Sequence, residues 1–313
     1  VDVPEVLSRP QLRAAGFSDA ELRQQLRTGD LTSVRRGSYL RGAPPTEADL
    51  RHAVAVRAAV DRLGPGSVVS HVSAAVLHGL PVWRIPLRRV HLTRSRGRSG
   101  SRANALVHVH SAALAVEETC RVAGFAVTSL ARTVLDLARS VPFEEAVVVA
   151  DAALRAQPDH REPLAPAALS AALARAARWP GTPAARRVIG FADGRSGSVG
   201  ESRSRVAIAA AGLPAPVLQW EVRDRAGRLV GYTDFGWPEH RTVGEFDGRV
   251  KYGRLLQPGQ DPGDAVYAEK LREDRLRDLG LSVVRWTWPE LHDFAPVADR
   301  LRRRLQHDRA HPV

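Results

Sequence analysis

Residues 231–248 read GYTDFGWPEHRTVGEFDG. The run divides at Pro238–Arg241, which reads as a tight turn between two strands. Successive strand side chains alternate between faces. Tyr232, Asp234 and Gly236 therefore share a face of the first strand, and Val243, Glu245 and Asp247 a face of the second. The turn makes the strands neighbours, which predicts Asp234 beside Glu245, with Asp247 at the strand end. Carboxylates that close repel one another unless a cation lies between them. A few carboxylate oxygens are what Mg²⁺ or Mn²⁺ takes as ligands, so Asp234, Glu245 and Asp247 are the candidate metal ligands. Such an ion polarises a phosphoryl oxygen and generates hydroxide from bound water.

Working outward from this hairpin, the pattern predicts a complete domain over 198–313. The segment SVGESRSRVAIAAAGLP (198–214) reads as a helix, with Glu201 near its start and Arg205 one turn later. The segment PVLQWEVRDRAGRLVGYTDFGW (216–237) reads as two strands around a turn at Arg225–Gly227. After the hairpin, AVYAEKLREDRLRDLG (265–280) is a helix, LSVVRWTW (281–288) a strand and PVADRLRRRL (296–305) a closing helix. The expected order is α-β-β-β-α-β-α.

The chain has 46 basic residues, and only Lys251 and Lys270 are lysines. Lys251 follows the acidic strand in GEFDGRVKYG, and Lys270 lies on the next helix. A compact, mobile ammonium stabilises charge developing on a phosphate differently from a planar guanidinium. That gives a reason for either to persist as lysine, and the sequence leaves both open. Arg205, Arg272 and Arg275 are candidates for phosphate contacts.

Bulk properties agree with a nucleic-acid partner. The net charge is +12 and the pI about 11.1, the footprint of a protein that meets phosphates. Heavy arginine usage also follows from a GC-rich codon bias, which competes with that explanation. The 313 residues suit about two domains. No run approaches the roughly 18–20 apolar residues of a membrane span. The start lacks a signal-peptide pattern, so a cytoplasmic location without membrane contact is expected. The single Cys120 excludes an internal disulfide and a multi-cysteine zinc site.

The N-terminal 45 residues are strongly punctuated. Ser18 followed by Glu21 is a capping box that starts a helix at Asp19, and Gly29 stops it. LTSVRRGSYL (31–40) reads as strand, glycine turn, strand. Two helices and a hairpin predict a winged-helix-like module over 1–45. Its second helix would offer Arg23, Gln24 and Arg27 to the DNA major groove, with Arg35 and Arg36 on the wing near phosphates. Residues 46–157 read as an α/β middle domain. A helix runs from Thr46 to Leu63, SHVSAAVLHGLPV (70–82) is a second, and VTSLARTVLDLARS (127–140) and FEEAVVVADAALRA (143–156) follow. RRVHLT and ALVHVHS alternate as strands. His108 and His110 share a strand face, a possible metal pair for which the sequence shows no third ligand. Arg132 and Asp136 are spaced as an ordinary helix ion pair. Residues 158–197 read as a helical linker, with a domain boundary near Gly194. The fold class predicted is α+β and multidomain.

The first two segments resemble the AbiEi-type antitoxins of type IV toxin–antitoxin systems. The resemblance rests on GDLTSVRRGSYLRG, SHVSAAVLHGLPV and VTSLARTVLDLA, and spans most of residues 10–156. It implies a DNA-binding winged helix that represses its own operon, and a cognate toxin as a possible partner. The last third resembles the PD-(D/E)XK nuclease superfamily, in the branch related to very-short-patch repair endonucleases. Here GESRSR, GYTDFGW, TVGEFDGRVKYG and EKLREDRLRDLGLSVVRWTW carry the resemblance over residues 198–305. It implies a restriction-endonuclease-like αβββαβ core and metal-dependent phosphodiester hydrolysis. In that family a helix glutamate, a strand aspartate and a strand glutamate bind metal, which fall on Glu201, Asp234 and Glu245. The chain departs from the pattern at three places. Thr233 stands where a proline precedes the aspartate, Asp247 stands where a lysine follows the glutamate, and Lys251 takes a position that is commonly histidine. The resemblance implies a Mg²⁺- or Mn²⁺-dependent nuclease with Glu201, Asp234, Glu245, Asp247 and Lys251 or Lys270 in the site. The alternative is a non-enzymatic repressor or antitoxin carrying an inactive nuclease fold.

Overall fold

A computed structural model describes residues 3–63, 66–95, 102–155, 162–248 and 262–307. The fold is mixed α and β, with three sheets among the described residues. It separates into two compact units, Val1–Ala192 and Asp193–Val313. Among the described residues no helix is long and apolar enough to cross a membrane.

The first unit opens with a three-stranded antiparallel sheet of order β1-β3-β2. Its strands are β1 (Val6–Ser8), β2 (Leu31–Arg35) and β3 (Ser38–Arg41), and helices α1 (Arg9–Ala14) and α2 (Asp19–Thr28) fall between β1 and β2. Both helices start on capping boxes, Ser8 with Gln11 and Ser18 with Glu21, which satisfy orphan backbone donors reciprocally. Gly29 ends α2 in the left-handed conformation, at φ 84°, where a Cβ would be costly. Leu12, Leu22 and Leu31 form a small core beneath Leu7, Phe17 and Tyr39.

Helix α3 (Ala48–Leu63) leads into a six-stranded mixed sheet of order β6-β7-β5-β4-β9-β8. These strands are β4 (Ser67–Val69), β5 (Val90–Arg94), β6 (Arg102–Ala103), β7 (Val107–Ser111), β8 (Thr119–Val122) and β9 (Phe125–Thr128), and α4 (His71–Leu77) follows β4. Val69, Leu92, Val107 and Val127 on the strands pack with Ala53 and Val56 of α3 and Ala74 and Leu77 of α4. The stretch 127–140 is not all helix. Val127 and Thr128 complete β9, and Ser129 then caps α5 (Leu130–Ala138).

The 158–197 region is not a linker in its described part. Helices α7 (Pro166–Arg175) and α8 (Thr182–Phe191) pack on α5 and on α6 (Phe143–Leu154). Leu169, Ala172, Ala185 and Val188 are buried there. Trp179, between the helices, sits under the guanidinium groups of Arg132 at 4.5 Å and Arg139 at 4.9 Å, a cation–π arrangement. Arg132 and Asp136 form the i,i+4 helix ion pair expected from their spacing, and it is buried. Arg132 is 1% exposed and meets Glu118 at 2.9 Å and Asp136 at 3.0 Å. Burial pushes the Asp136 carboxyl up, and the Arg132 charge opposes the shift.

The second unit runs α9 (Val199–Ala210), β10 (Val217–Arg223), β11 (Leu229–Trp237), β12 (Thr242–Asp247), α10 (Pro262–Asp278), β13 (Ser282–Thr287) and α11 (Ala295–His307). The sheet order is β10-β11-β12-β13, antiparallel except for the parallel β12–β13 pair. A parallel pair needs a long crossover, and α10 lies within it. Phe235, Phe246, Val284 and Trp286 form the core with Ile208 of α9 and Val297, Leu301 and Leu305 of α11. Gly200 lets α9 lie against the Phe246 ring, because a Cβ there would overlap that ring. Gly244 does the same beneath Trp286, where a Cβ would sit 2.7 Å from the indole.

Candidate acidic site

The register of β11 and β12 pairs Phe235 with Gly244 and Gly236 with Val243. One step further along this antiparallel pair, Asp234 stands opposite Glu245. The parallel β12–β13 register sets Glu245 beside Arg285 and Asp247 beside Thr287. Asp234, Glu245, Asp247 and Arg285 thus share one face of the sheet, opposite the face that carries Phe246 and Trp286.

Glu245 and Asp234 each have a defined role in the fold. Glu245 is 8% exposed. Its Oε1 accepts a hydrogen bond from Arg272 of α10 at 2.6 Å, and its Oε2 accepts from the Nε of Arg285 at 3.0 Å. A second Arg285 nitrogen lies 2.9 Å from Oε2. Arg285 also reaches Glu273 at 3.0 Å, and Arg277 pairs with Glu273. Arg272 donates to the Tyr232 carbonyl at 3.2 Å. Asp234 accepts the backbone N–H of Phe246 at 2.9 Å.

Glu201 is 5% exposed and serves the start of α9. It accepts from the Gly197 backbone at 2.7 Å, from the Ser198 hydroxyl at 2.9 Å and from the Gln219 amide at 3.1 Å. Because Gly200 rests on Phe246, α9 covers the face opposite Glu245. The structure sets Asp234 opposite Glu245, while Glu201 is tied to the start of α9 and to Gln219 of β10. Among the described residues no three carboxylates bring oxygens within 4.8 Å of one another; the group that converges to that distance is His71, His91 and His110. Both oxygens of Glu245 are engaged by guanidinium groups, so a divalent ion at Glu245 would have to compete with Arg272 and Arg285. Asp247 is half-buried at the end of β12.

Lys251 lies outside the described residues. Lys270 is exposed on α10, and among the described α10 side chains Arg272 reaches Glu245. Arg275 is exposed, whereas Arg205 is half-buried and donates to Ser196 at 3.5 Å. Sequence reasoning missed Arg285 and Glu273. The signal for Arg285 was available. Along SVVRWT, Val284 and Trp286 share the core face, which leaves Arg285 on the face of Glu245.

At the other end of the chain, Arg23, Gln24, Arg27 and Arg36 lie on α2 and the β2–β3 hairpin, and Arg23 and Gln24 are exposed. Arg35 is half-buried and turns back to donate to the Ala58 carbonyl of α3 at 3.4 Å, which removes it from the wing surface. Asp19 at the start of α2 is held by Arg9 at 2.8 Å and Arg13 at 2.7 Å.

No known protein-family profile matches the chain. It is 28% identical over 265 residues to the uncharacterized protein MT2308 of Mycobacterium tuberculosis strain CDC 1551 / Oshkosh, covering 84% of this chain and 88% of that protein. The same figures hold for the uncharacterized protein Rv2248 of strain ATCC 25618 / H37Rv. Among solved structures, it is similar to the crystal structure of the RV2827C protein from Mycobacterium tuberculosis. That likeness has a TM-score of 0.41 and 14% identity, over 71% of this chain and 84% of that one.

Proposed function

We propose that the chain is a DNA-binding protein of the repressor or antitoxin type, whose nuclease-like C-terminal unit grips DNA or a partner protein without cutting it. The observation that carries the non-catalytic reading is the Glu245 carboxylate, both of whose oxygens are held by Arg272 and Arg285. A carboxylate satisfied in this way stabilises its own fold and offers little to a metal. The DNA-binding reading is supported by the net charge of +12 and by a capped α2 that carries Arg23, Gln24 and Arg27 beside a hairpin carrying Arg36. Arginine and glutamine on one helix are the side chains that read base edges and phosphates.

The second reading is a Mg²⁺- or Mn²⁺-dependent nuclease, and the placement of Asp234 opposite Glu245 with Asp247 on the same face favours it. One assay separates the two. Purified protein is incubated with plasmid and with Mg²⁺ or Mn²⁺, while binding to duplex DNA is followed by fluorescence anisotropy. Binding with the plasmid left intact supports the repressor reading. Cleavage that disappears in Glu245→Gln overturns it in favour of the nuclease. No binding at low salt overturns both.

A further inference from the structure

The six-stranded sheet of the first unit gathers imidazoles from two strands and a helix. Strands β5 and β7 run parallel with His91 beside His108 and Thr93 beside His110. Side chains directly paired across a sheet share a face, so His91 and His110 sit diagonally on the same surface. Helix α4 begins over that surface with His71. The His71 ring stacks on His110 with centroids 3.7 Å apart, and the His108 ring stacks on His110 at 3.9 Å. His91 Nδ1 lies 3.0 Å from His110 Nε2. Ring nitrogens of His71, His91 and His110 lie within 4.8 Å of one another.

We propose that His71, His91 and His110 form a binding site for a late first-row divalent cation, Zn²⁺ in the first instance. Two nitrogens bound at about 2.0–2.1 Å to a tetrahedral ion sit roughly 3.3 Å apart. The His91–His110 pair is already near that separation, and side-chain rotation draws in the third nitrogen. Three imidazoles without a carboxylate are a donor set for Zn²⁺ or Co²⁺ and not for Mg²⁺. Three protein ligands leave a fourth position open to water or an anion.

The surroundings orient these rings as a metal site requires. The Ser70 hydroxyl lies 3.0 Å from His71 Nδ1 and takes a hydrogen bond from Thr93 at 2.8 Å. That occupies Nδ1 and leaves Nε2 of His71 as the ligand atom. His52 Nδ1 faces the Leu87 carbonyl at 3.0 Å, which makes it the protonated nitrogen, so Nε2 accepts from the Ser73 hydroxyl at 2.8 Å. The Ser73 oxygen in turn accepts the His91 backbone N–H at 2.8 Å and pins that strand position. His71 itself has φ 53°, an uncommon conformation for a residue with a Cβ and one that clusters at functional sites.

The test uses untagged full-length protein, stripped with a chelator and titrated with Zn²⁺ by calorimetry and with Co²⁺ by visible absorption. One ion per chain is expected, with the absorption of a low-coordinate Co²⁺ centre. His91→Ala and His110→Ala should each weaken Zn²⁺ binding by more than about 100-fold, beyond the 10–100-fold cost of losing only a ligand's hydrogen-bond partner. His108→Ala should change it by less than about tenfold, below the range for a group that orients a ligand. Should a variant fail to fold, side-chain ¹⁵N shifts of wild-type histidines report the ligands directly. Zn²⁺-induced shifts at His71, His91 and His110 support the site. Shifts confined to the other histidines among the eleven, or the absence of one-to-one binding, overturn it.

Discussion

Arg285 and Glu245 stand side by side in register on the parallel strands β13 and β12, with the guanidinium 2.9 Å from Oε2. Together with Arg272 this pairing gives Glu245 a structural role, and that role makes a prediction of definite sign. Removing one of several repelling carboxylates from a metal site stabilises the metal-free protein. Removing a clamped one destabilises it, because Arg272 and Arg285 each lose a charge partner, although Arg285 keeps Glu273. Glu245→Ala should cost about 1–3 kcal/mol in urea unfolding, less than a fully buried pair because both arginines are partly exposed. A gain in stability would refute the clamp.

Arg132 makes a stronger case. It is enclosed with Glu118 and Asp136, and Trp179 lies against its guanidinium. Arg132→Ala leaves two buried carboxylates without their shared cation, at a cost of about 3–5 kcal/mol. Adding Glu118→Gln and Asp136→Asn in the same background should recover part of the loss, as measured by denaturant midpoints. Equal stability of the single and triple variants would argue against charge as the cause.

Gly200 reports on packing. A methyl group there meets the Phe246 ring, and overpacking of this kind costs about 1–3 kcal/mol. Gly200→Ala should be destabilised by that amount, and Phe246→Leu should cost less in the Gly200→Ala background than in wild type. Additive losses would place the strain elsewhere.

Hydrogen bonds from Arg9 and Arg13 hold the Asp19 carboxyl down at about 2, below the unfolded value of about 3.9. Its contribution is therefore present above about pH 4 and is lost as pH falls through about 2. The stability gap between wild type and Asp19→Asn should be widest near neutrality, close toward pH 2 and narrow with salt. A gap independent of pH would rule out the pairing as its source.

Arg23→Ala and Arg27→Ala should each weaken duplex binding, and the log–log salt slope should shrink by about 0.9 for every phosphate that is no longer neutralised. Arg35→Ala, whose side chain is turned toward α3, should leave that slope unchanged. The reverse ranking would move the DNA surface away from α2.

Local signals were legible because a few adjacent residues write them. Ser18 and Glu21 mark the start of α2 and form the capping box there. The turn at 238–241 sets Asp234 against Glu245. Signals that depend on distant partners were not. The pair His108 and His110 was visible on β7, yet its companions His91 and His71 lie 19 and 39 residues before His110 and meet it only through the parallel β5–β7 pairing and the seat of α4. Glu245 looked like a free ligand because Arg272 and Arg285 follow it by 27 and 40 residues. Val127 and Thr128 joined a helical pattern in sequence, but pairing with β8 made them strand.

The parallel β12–β13 pair also orders events in time. Strands β10 to β12 connect through short turns and close quickly, whereas β13 must wait for the crossover that contains α10, and non-local pairings of this kind form slowly. Contact order therefore predicts that Glu245 is first placed on a half-sheet that faces water, and that it loses its hydration when α10 and β13 bring in Arg272 and Arg285. On that order the acid is dehydrated as its counter-charges arrive, and the growing sheet does not bury an unpaired carboxylate.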